Sequence, residues 1–216
     1  MISRGKYINC PQRRSEGASR FHRAVKVFRE SGGILRTGQA IRAGIHPTTL
    51  YALRDAGVLE TMSRGVFRIA DKAPLANIDL VIVALRIPSG VVCLISALAF
   101  HELTTQIPHA VHVALPPNAE RPTVEFPPLR TYRFSAASYA AGVQTHELDG
   151  VDVRIFSAEK TLADCFKFRN RLGMDVVLES LRLYRERGNT KIDELLRFAS
   201  ICRVEKVMRP YLEALF

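Results

Sequence analysis

The chain has 216 residues, 47% hydrophobic and 24% charged, the balance of a soluble globular protein with a sizeable core and a length that suits two compact units of unequal size. Its formal net charge of +10 is lopsided: residues 1–70 hold 13 Lys and Arg against 4 Asp and Glu, whereas residues 71–216 hold 18 against 17. Such asymmetry excludes a uniformly charged chain and points to a basic module facing DNA or a membrane, joined to a near-neutral one; a solvated basic surface without a specific partner is the plain alternative.

Residues 1–19 (MISRGKYINCPQRRSEGAS) are polar, basic and aperiodic. They read as a flexible basic arm, either disordered or able to reach a DNA minor groove. From Arg20 to Glu30, Phe21, Ala24, Val25, Val27 and Phe28 recur at helical spacing, and Ser31-Gly32-Gly33 stops the helix. A second helix runs from a capping Thr37 to Gly44. A third starts at Pro47, with His46 at the cap position, and runs to about Ala56 before Gly57. Leu50 and Leu53 face inward with Ile45 and Val58, leaving His46, Thr48, Thr49, Tyr51 and Arg54 on other faces. Leu59–Met62 and Val66–Ile69 form two strands joined by Ser63-Arg64-Gly65. Over residues 20–71 this is the order of a winged helix-turn-helix, which sets one helix in a DNA groove and a β-hairpin beside it.

Asp71-Lys72-Ala73-Pro74 reads as a linker, and residues 75–216 change to a mixed pattern. Helices are predicted at 77–86, 96–104 and 136–141, and strands at 110–115, 130–134, 144–148 and 151–156. Leu148-Asp149-Gly150-Val151 makes the last two strands a hairpin. Ser157 begins a strong helix, SAEKTLADCFKF, and two more follow at 173–187 and 191–214, the second broken around Ile201 to Arg203. The fold class is therefore α/β (α+β): an N-terminal winged helix-turn-helix, then a mixed α/β domain with a helical C-terminus.

Cys10, Cys93, Cys165 and Cys202 stand singly, with no zinc-ligand spacing; the last three sit in apolar contexts as buried hydrophobes. The first 20 residues lack a signal-peptide h-region. Ile78 to Phe100 is interrupted by Arg86-Ile87-Pro88-Ser89-Gly90, which leaves two runs too short for a bilayer. The expectation is a reduced, cytoplasmic protein.

DNA binding needs positive charge along two phosphate strands and a rigid element whose side chains reach base edges. The third helix would enter the major groove by its N-terminal half, with His46, Thr48, Thr49 and Tyr51 placed for bases or phosphates and Arg54 serving either. Arg36 and Thr37, with Arg42, suit phosphates. Arg64 at the wing tip is a minor-groove or phosphate probe, and Arg68 on the second wing strand is taken with this set. Each has a structural alternative: Tyr51 packing on the first helix, His46 as a cap, Thr48 and Thr49 merely solvated.

In the second domain the chemical candidates are His101, Glu102, Asp152, Glu159, Lys160 and Asp164. Glu159 and Lys160 are adjacent rather than one residue apart, which does not fit an Asp…(Glu/Asp)-x-Lys nuclease, and they read as helix-start residues that cap or pair. His101, His109 and His112 lack regular ligand spacing, and there is no phosphate-binding loop. No catalytic residue, metal or cofactor is assigned. A metal-dependent nuclease or nucleotidyltransferase delivered by the winged domain remains an alternative, as does a toxin-binding interaction protein.

The segment GGILRTGQAIRAGIHPTTLYALRDAGVLETMSRGVFRIAD resembles the N-terminal winged domain of AbiEi-type antitoxins of abortive-infection, type IV toxin–antitoxin systems. ISALAFHELTTQIPHAVHVALP (95–116) and VRIFSAEKTLADCFKFRNRLG (153–173) are similar to that family's "SALxxHGLT…IP" and "ErTLxD" signatures. The resemblance implies a repressor that binds inverted repeats in its own promoter as a pair of copies. It also implies an antitoxin that counters a nucleotidyltransferase-like toxin without forming a stable complex. The chain departs from the pattern at His46-Pro47, at Glu102 where the family has Gly, and at Lys160 where Arg is common.

Overall fold

The structure, a computed structural model, describes residues 12–71 and 77–215. The chain divides into two compact units, residues 1–74 and 75–216.

The first unit runs α1 (Gln12–Glu30), β1 (Ile34–Arg36), α2 (Thr37–Arg42), α3 (Pro47–Asp55), β2 (Leu59–Ser63) and β3 (Val66–Ile69). Helix α1 begins at Gln12, so the second half of the expected arm is helical; residues 1–11 lie outside the described residues. At its C-terminal end the Gly33 N–H donates to the Phe28 carbonyl at 2.7 Å. The strands form an antiparallel sheet in the order β1-β3-β2, with Leu35 opposite Phe67 and Leu59 opposite Ile69. Strand β1 was not expected, because three residues are too few to display a period. Ala24 and Phe28 of α1, Ala40 of α2, Leu50 and Leu53 of α3, and Leu35, Leu59, Phe67 and Ile69 of the sheet form one core with Ile45. Thr37 does not cap α2. The cap is Arg36, whose N–H donates to the Gln39 side chain at 2.9 Å.

The second unit contains α4 (Ile78–Arg86), β4 (Val91–Val92), α5 (Leu94–Phe100), β5 (Val111–Leu115), β6 (Leu129–Arg133), α6 (Ala136–Ala140), β7 (Val143–Leu148), β8 (Val151–Phe156), α7 (Ala158–Lys167), α8 (Arg169–Leu172), α9 (Met174–Glu186), α10 (Ile192–Cys202) and α11 (Glu205–Leu215). Its mixed sheet has the order β6-β5-β4-β8-β7. Strands β5/β6 and β4/β8 pair parallel, β4/β5 and β7/β8 antiparallel. Alternation along the strands feeds two cores. Val92, Val113 and Ile155 pack with Leu80 and Val83 of α4, while Val91, Ala114 and Phe156 pack with α7, α9, α10 and α11. The β7–β8 turn carries Asp149 at φ 52° and Gly150 at φ 77°, the left-handed pair a tight hairpin needs.

Helix α7 is the axis of this unit: Lys160 through Phe166 are all buried. Ser157 caps it by accepting from the Lys160 N–H at 3.2 Å. Lys160 and Asp164, both fully buried, pair at 2.5 Å, and Cys202 donates to the other Asp164 oxygen at 3.2 Å. The Lys160 ammonium also lies 4.3 Å from the ring centre of Phe156 and 5.0 Å from that of Phe134. Gly142, at φ 70°, lets the chain entering β7 pass close to α7: a Cβ there would stand 2.6 Å from Cβ of Lys160.

Candidate nucleic-acid interface

Helix α3 is built to start abruptly. Pro47 has no N–H to leave unsatisfied, and His46, extended at φ −69° and ψ 141°, accepts the Thr48 N–H on its ring at 3.3 Å. Burial of Leu50 and Leu53 fixes the helix's rotation, so Thr48, Tyr51, Arg54 and Asp55 point away from the core. Tyr51 is 43% exposed. Its ring meets Phe67 of β3 edge-on at 6.1 Å, and the Arg54 guanidinium lies 5.1 Å from its centre. Arg54 is oriented from the other side by Asp55, through two bonds to one carboxylate oxygen at 2.9 and 2.7 Å. An exposed pair of this kind is worth little in stability, but it aims the guanidinium.

The wing is fastened to the start of α2. The Thr37 N–H donates to the Gly65 carbonyl at 2.9 Å, and the Thr37 hydroxyl does so at 3.3 Å. Gly65, at φ 74°, makes the turn that leaves Arg64 exposed at the tip. At the other end of α2 the Arg42 guanidinium folds back to within 3.6 Å of where a Gly38 side chain would start.

Of the residues expected to meet DNA, Arg42, His46, Thr48, Tyr51, Arg54 and Arg64 are exposed, and Arg36 and Thr49 are half-buried. Thr37 is a correction: both its donors are spent on the wing turn. Arg68 is another. It is 6% exposed and bonds Glu60 at 2.8 Å, because on the central strand its side chain lies between those of its cross-strand partners Ile34 and Glu60. Sequence reasoning passed over Arg20 and Arg23, which line a cleft between α1 and the first turn of α3.

The chemical candidates of the second unit are dispersed. Asp152 is exposed on β8 opposite Glu147, Glu159 accepts from the Tyr184 hydroxyl at 2.8 Å, and Asp164 is sealed with Lys160. Among the described residues no three His, Cys, Asp or Glu side chains gather as a metal-ligand set. His101 Nε2 lies 2.7 Å from the Phe156 carbonyl, and burial lowers its pKa. His112 stacks on Tyr132, and burial, seconded by the Arg130 charge, lowers its pKa to about 4. Glu102 holds the left-handed conformation at φ 56° just beyond α5, where the Leu103 N–H returns to the Leu98 carbonyl at 2.8 Å. The turn a glycine would make is thus kept by a glutamate. It also ends α5 at Phe100, short of the expected 104.

Residues 22–70 match the family model described as "Transcriptional regulator, AbiEi antitoxin", which bears out the resemblance over the N-terminal winged segment. No curated protein matches the chain. Among solved structures, the RV2827C protein from Mycobacterium tuberculosis is similar in fold, with a TM-score of 0.56 at 15% identity over 86% of this chain and 71% of that one. At that identity the likeness concerns the fold alone. Among the described residues no helix is long and apolar enough to cross a membrane.

Proposed function

We propose that the protein is a DNA-binding transcriptional repressor that acts as the antitoxin of a type IV toxin–antitoxin, abortive-infection system and represses its own promoter. The observation that carries this reading is the outward face of α3, Thr48, Tyr51 and Arg54, with Arg64 of the wing beside it, in a module matched to an antitoxin regulator family. The charge supports it: nearly all of the surplus lies in residues 1–70. Two copies, as a homodimer or a pair assembled on DNA, read inverted repeats, since two-fold operators mirror two-fold proteins. The second unit, in this reading, performs no catalysis and counters a nucleotidyltransferase-like toxin in the cytoplasm, as part of phage defence.

The test is fluorescence anisotropy with the duplex upstream of the protein's own coding sequence and a scrambled duplex of equal length. The upstream duplex binds more tightly, and log affinity falls by roughly 0.9 per log unit of salt for each phosphate neutralised. Equal affinity for both duplexes overturns promoter recognition, and a flat salt response overturns the electrostatic footing. Co-expression with a neighbouring nucleotidyltransferase-like gene tests the antitoxin half: growth is rescued without co-purification, and no rescue overturns it.

A further inference from the structure

Beside the recognition helix lies a cleft of about 370 Å³, walled by α1 on one side and by the α2–α3 turn and first turn of α3 on the other. We infer that this cleft is a docking site for the phosphodiester backbone of duplex DNA, with Arg20 and Arg23 of α1 as its cationic contacts. The inference rests on the DNA-binding reading above and assigns α1 a part in it.

Arg20 and Arg23 are three residues apart, so their side chains share a helix face, and both line the cleft. Among the described residues that line it, none is a carboxylate. The turn supplies little: the N–H groups of Ala43, Gly44 and Ile45 already donate to the carbonyls of Gln39, Ile41 and Ala40 at 2.9 Å each. Side chains must therefore do the binding. Guanidinium forks match the oxygens of a phosphodiester, and two of them a turn apart match a backbone better than a point anion. The opposite wall adds neutral donors. The His46 Nδ1 accepts the Thr48 N–H at 3.3 Å, which leaves Nε2 as the ring nitrogen able to donate. Thr49 lines the same wall. The cleft is far larger than one free phosphate requires, and it abuts the end of α3 assigned to the major groove, whose rims are phosphate strands.

The experiment compares wild type with Arg20→Gln/Arg23→Gln, Arg23→Gln alone, and Arg29→Gln. Arg29 lies on the same helix and does not line the cleft. Each is titrated with a mixed-sequence duplex about three helical turns long, across a range of salt. The double variant loses roughly 0.9 to 1.8 from the slope of log affinity against log salt and about ten-fold in affinity near 0.1 M salt, and Arg23→Gln about half of that. Arg29→Gln keeps the wild-type slope. An unchanged slope in the folded cleft variants overturns the inference, as does an equal loss in Arg29→Gln, which would mark bulk charge. Inorganic phosphate at constant ionic strength separates the sources: a phosphate-dependent rise in wild-type Tm, absent from the double variant and accompanied by an unchanged duplex slope, assigns the cleft to a free anion instead. If wild type binds no duplex, it is the DNA-binding reading that fails, and melting in phosphate reports on the cleft independently.

Discussion

Two ion pairs, one from each unit, hold their charges in opposite ways. In the winged unit the ion pair Arg54–Asp55 is open to water, with side chains 43% and 66% exposed, and serves to aim a guanidinium outward. In the second unit Lys160–Asp164 is wholly sealed beneath Phe134 and Phe156. Removing the Arg54 charge should therefore cost binding, and removing the Lys160 charge the fold. The surface of the winged unit speaks of a ligand, whereas the most unusual polar chemistry of the second unit speaks of architecture.

The sharpest way to break that contrast is to remove one member of the sealed pair. Lys160→Ala leaves a buried carboxylate without its partner and should lower unfolding free energy by about 3–5 kcal/mol in urea titrations, whereas Lys160→Met with Asp164→Leu recovers much of it. A loss below about 1 kcal/mol would mean that water reaches the pair.

Acid should weaken the second unit next. Burial holds the folded His112 pKa near 4, against 6.5 for the free side chain. The contribution is complete above 6.5; below it the unfolded chain takes up a proton that the folded chain refuses until about pH 4. Stability therefore falls across that window, by an amount on the order of 2 kcal/mol after allowance for solvent. His101, lowered in the same direction, adds to the slope. Asp164 is raised by burial and has the opposite sign, so that for this group falling pH favours the folded state. Melting curves at pH 7 and pH 5 check this, and His112→Gln should flatten the difference.

For the winged unit, Arg64→Ala and Arg54→Ala should each weaken duplex binding by about 1–2 kcal/mol with Tm unchanged. Arg68→Ala should do the reverse, since it strips a buried partner from Glu60 and touches no ligand. Smallest is a gain: Glu102→Gly relieves a left-handed side chain and should raise stability by about 1 kcal/mol, the exposed contact to Arg187 counting for little.

Much of the winged unit was legible because its signals are local. Pro47 after a capping His46, Leu50 and Leu53 three apart, and Gly65 in a short turn each act within a few residues. The misreadings share a cause. A strand of three residues carries no period, so β1 is not visible in the sequence, and without it Arg68 sits on the second strand of a two-stranded wing rather than in the middle of a sheet. In α7 the sequence analysis took Lys160 with Glu159 at the helix start; its pairing with Asp164 one turn on goes with burial, and nothing local says that α10 closes over them with Cys202, 38 residues beyond Asp164. Strand β4, two residues long, and α8, of four, lie below what any periodicity resolves.

The fastening of Thr37 to the Gly65 carbonyl has a mechanical consequence. With the wing turn tied to α2, and α3 tied to β3 through Tyr51 and Phe67, the distance between wing tip and helix is set before any ligand arrives. The module behaves as a caliper of fixed gap. A duplex gripped at both points must supply the deformation itself, so a stretch whose groove already matches the gap is held at lower cost than one that must be bent to it, even where no side chain touches a base. Thr37→Val, which keeps the N–H bond and removes the hydroxyl bond, would loosen the caliper and narrow that difference between sequences.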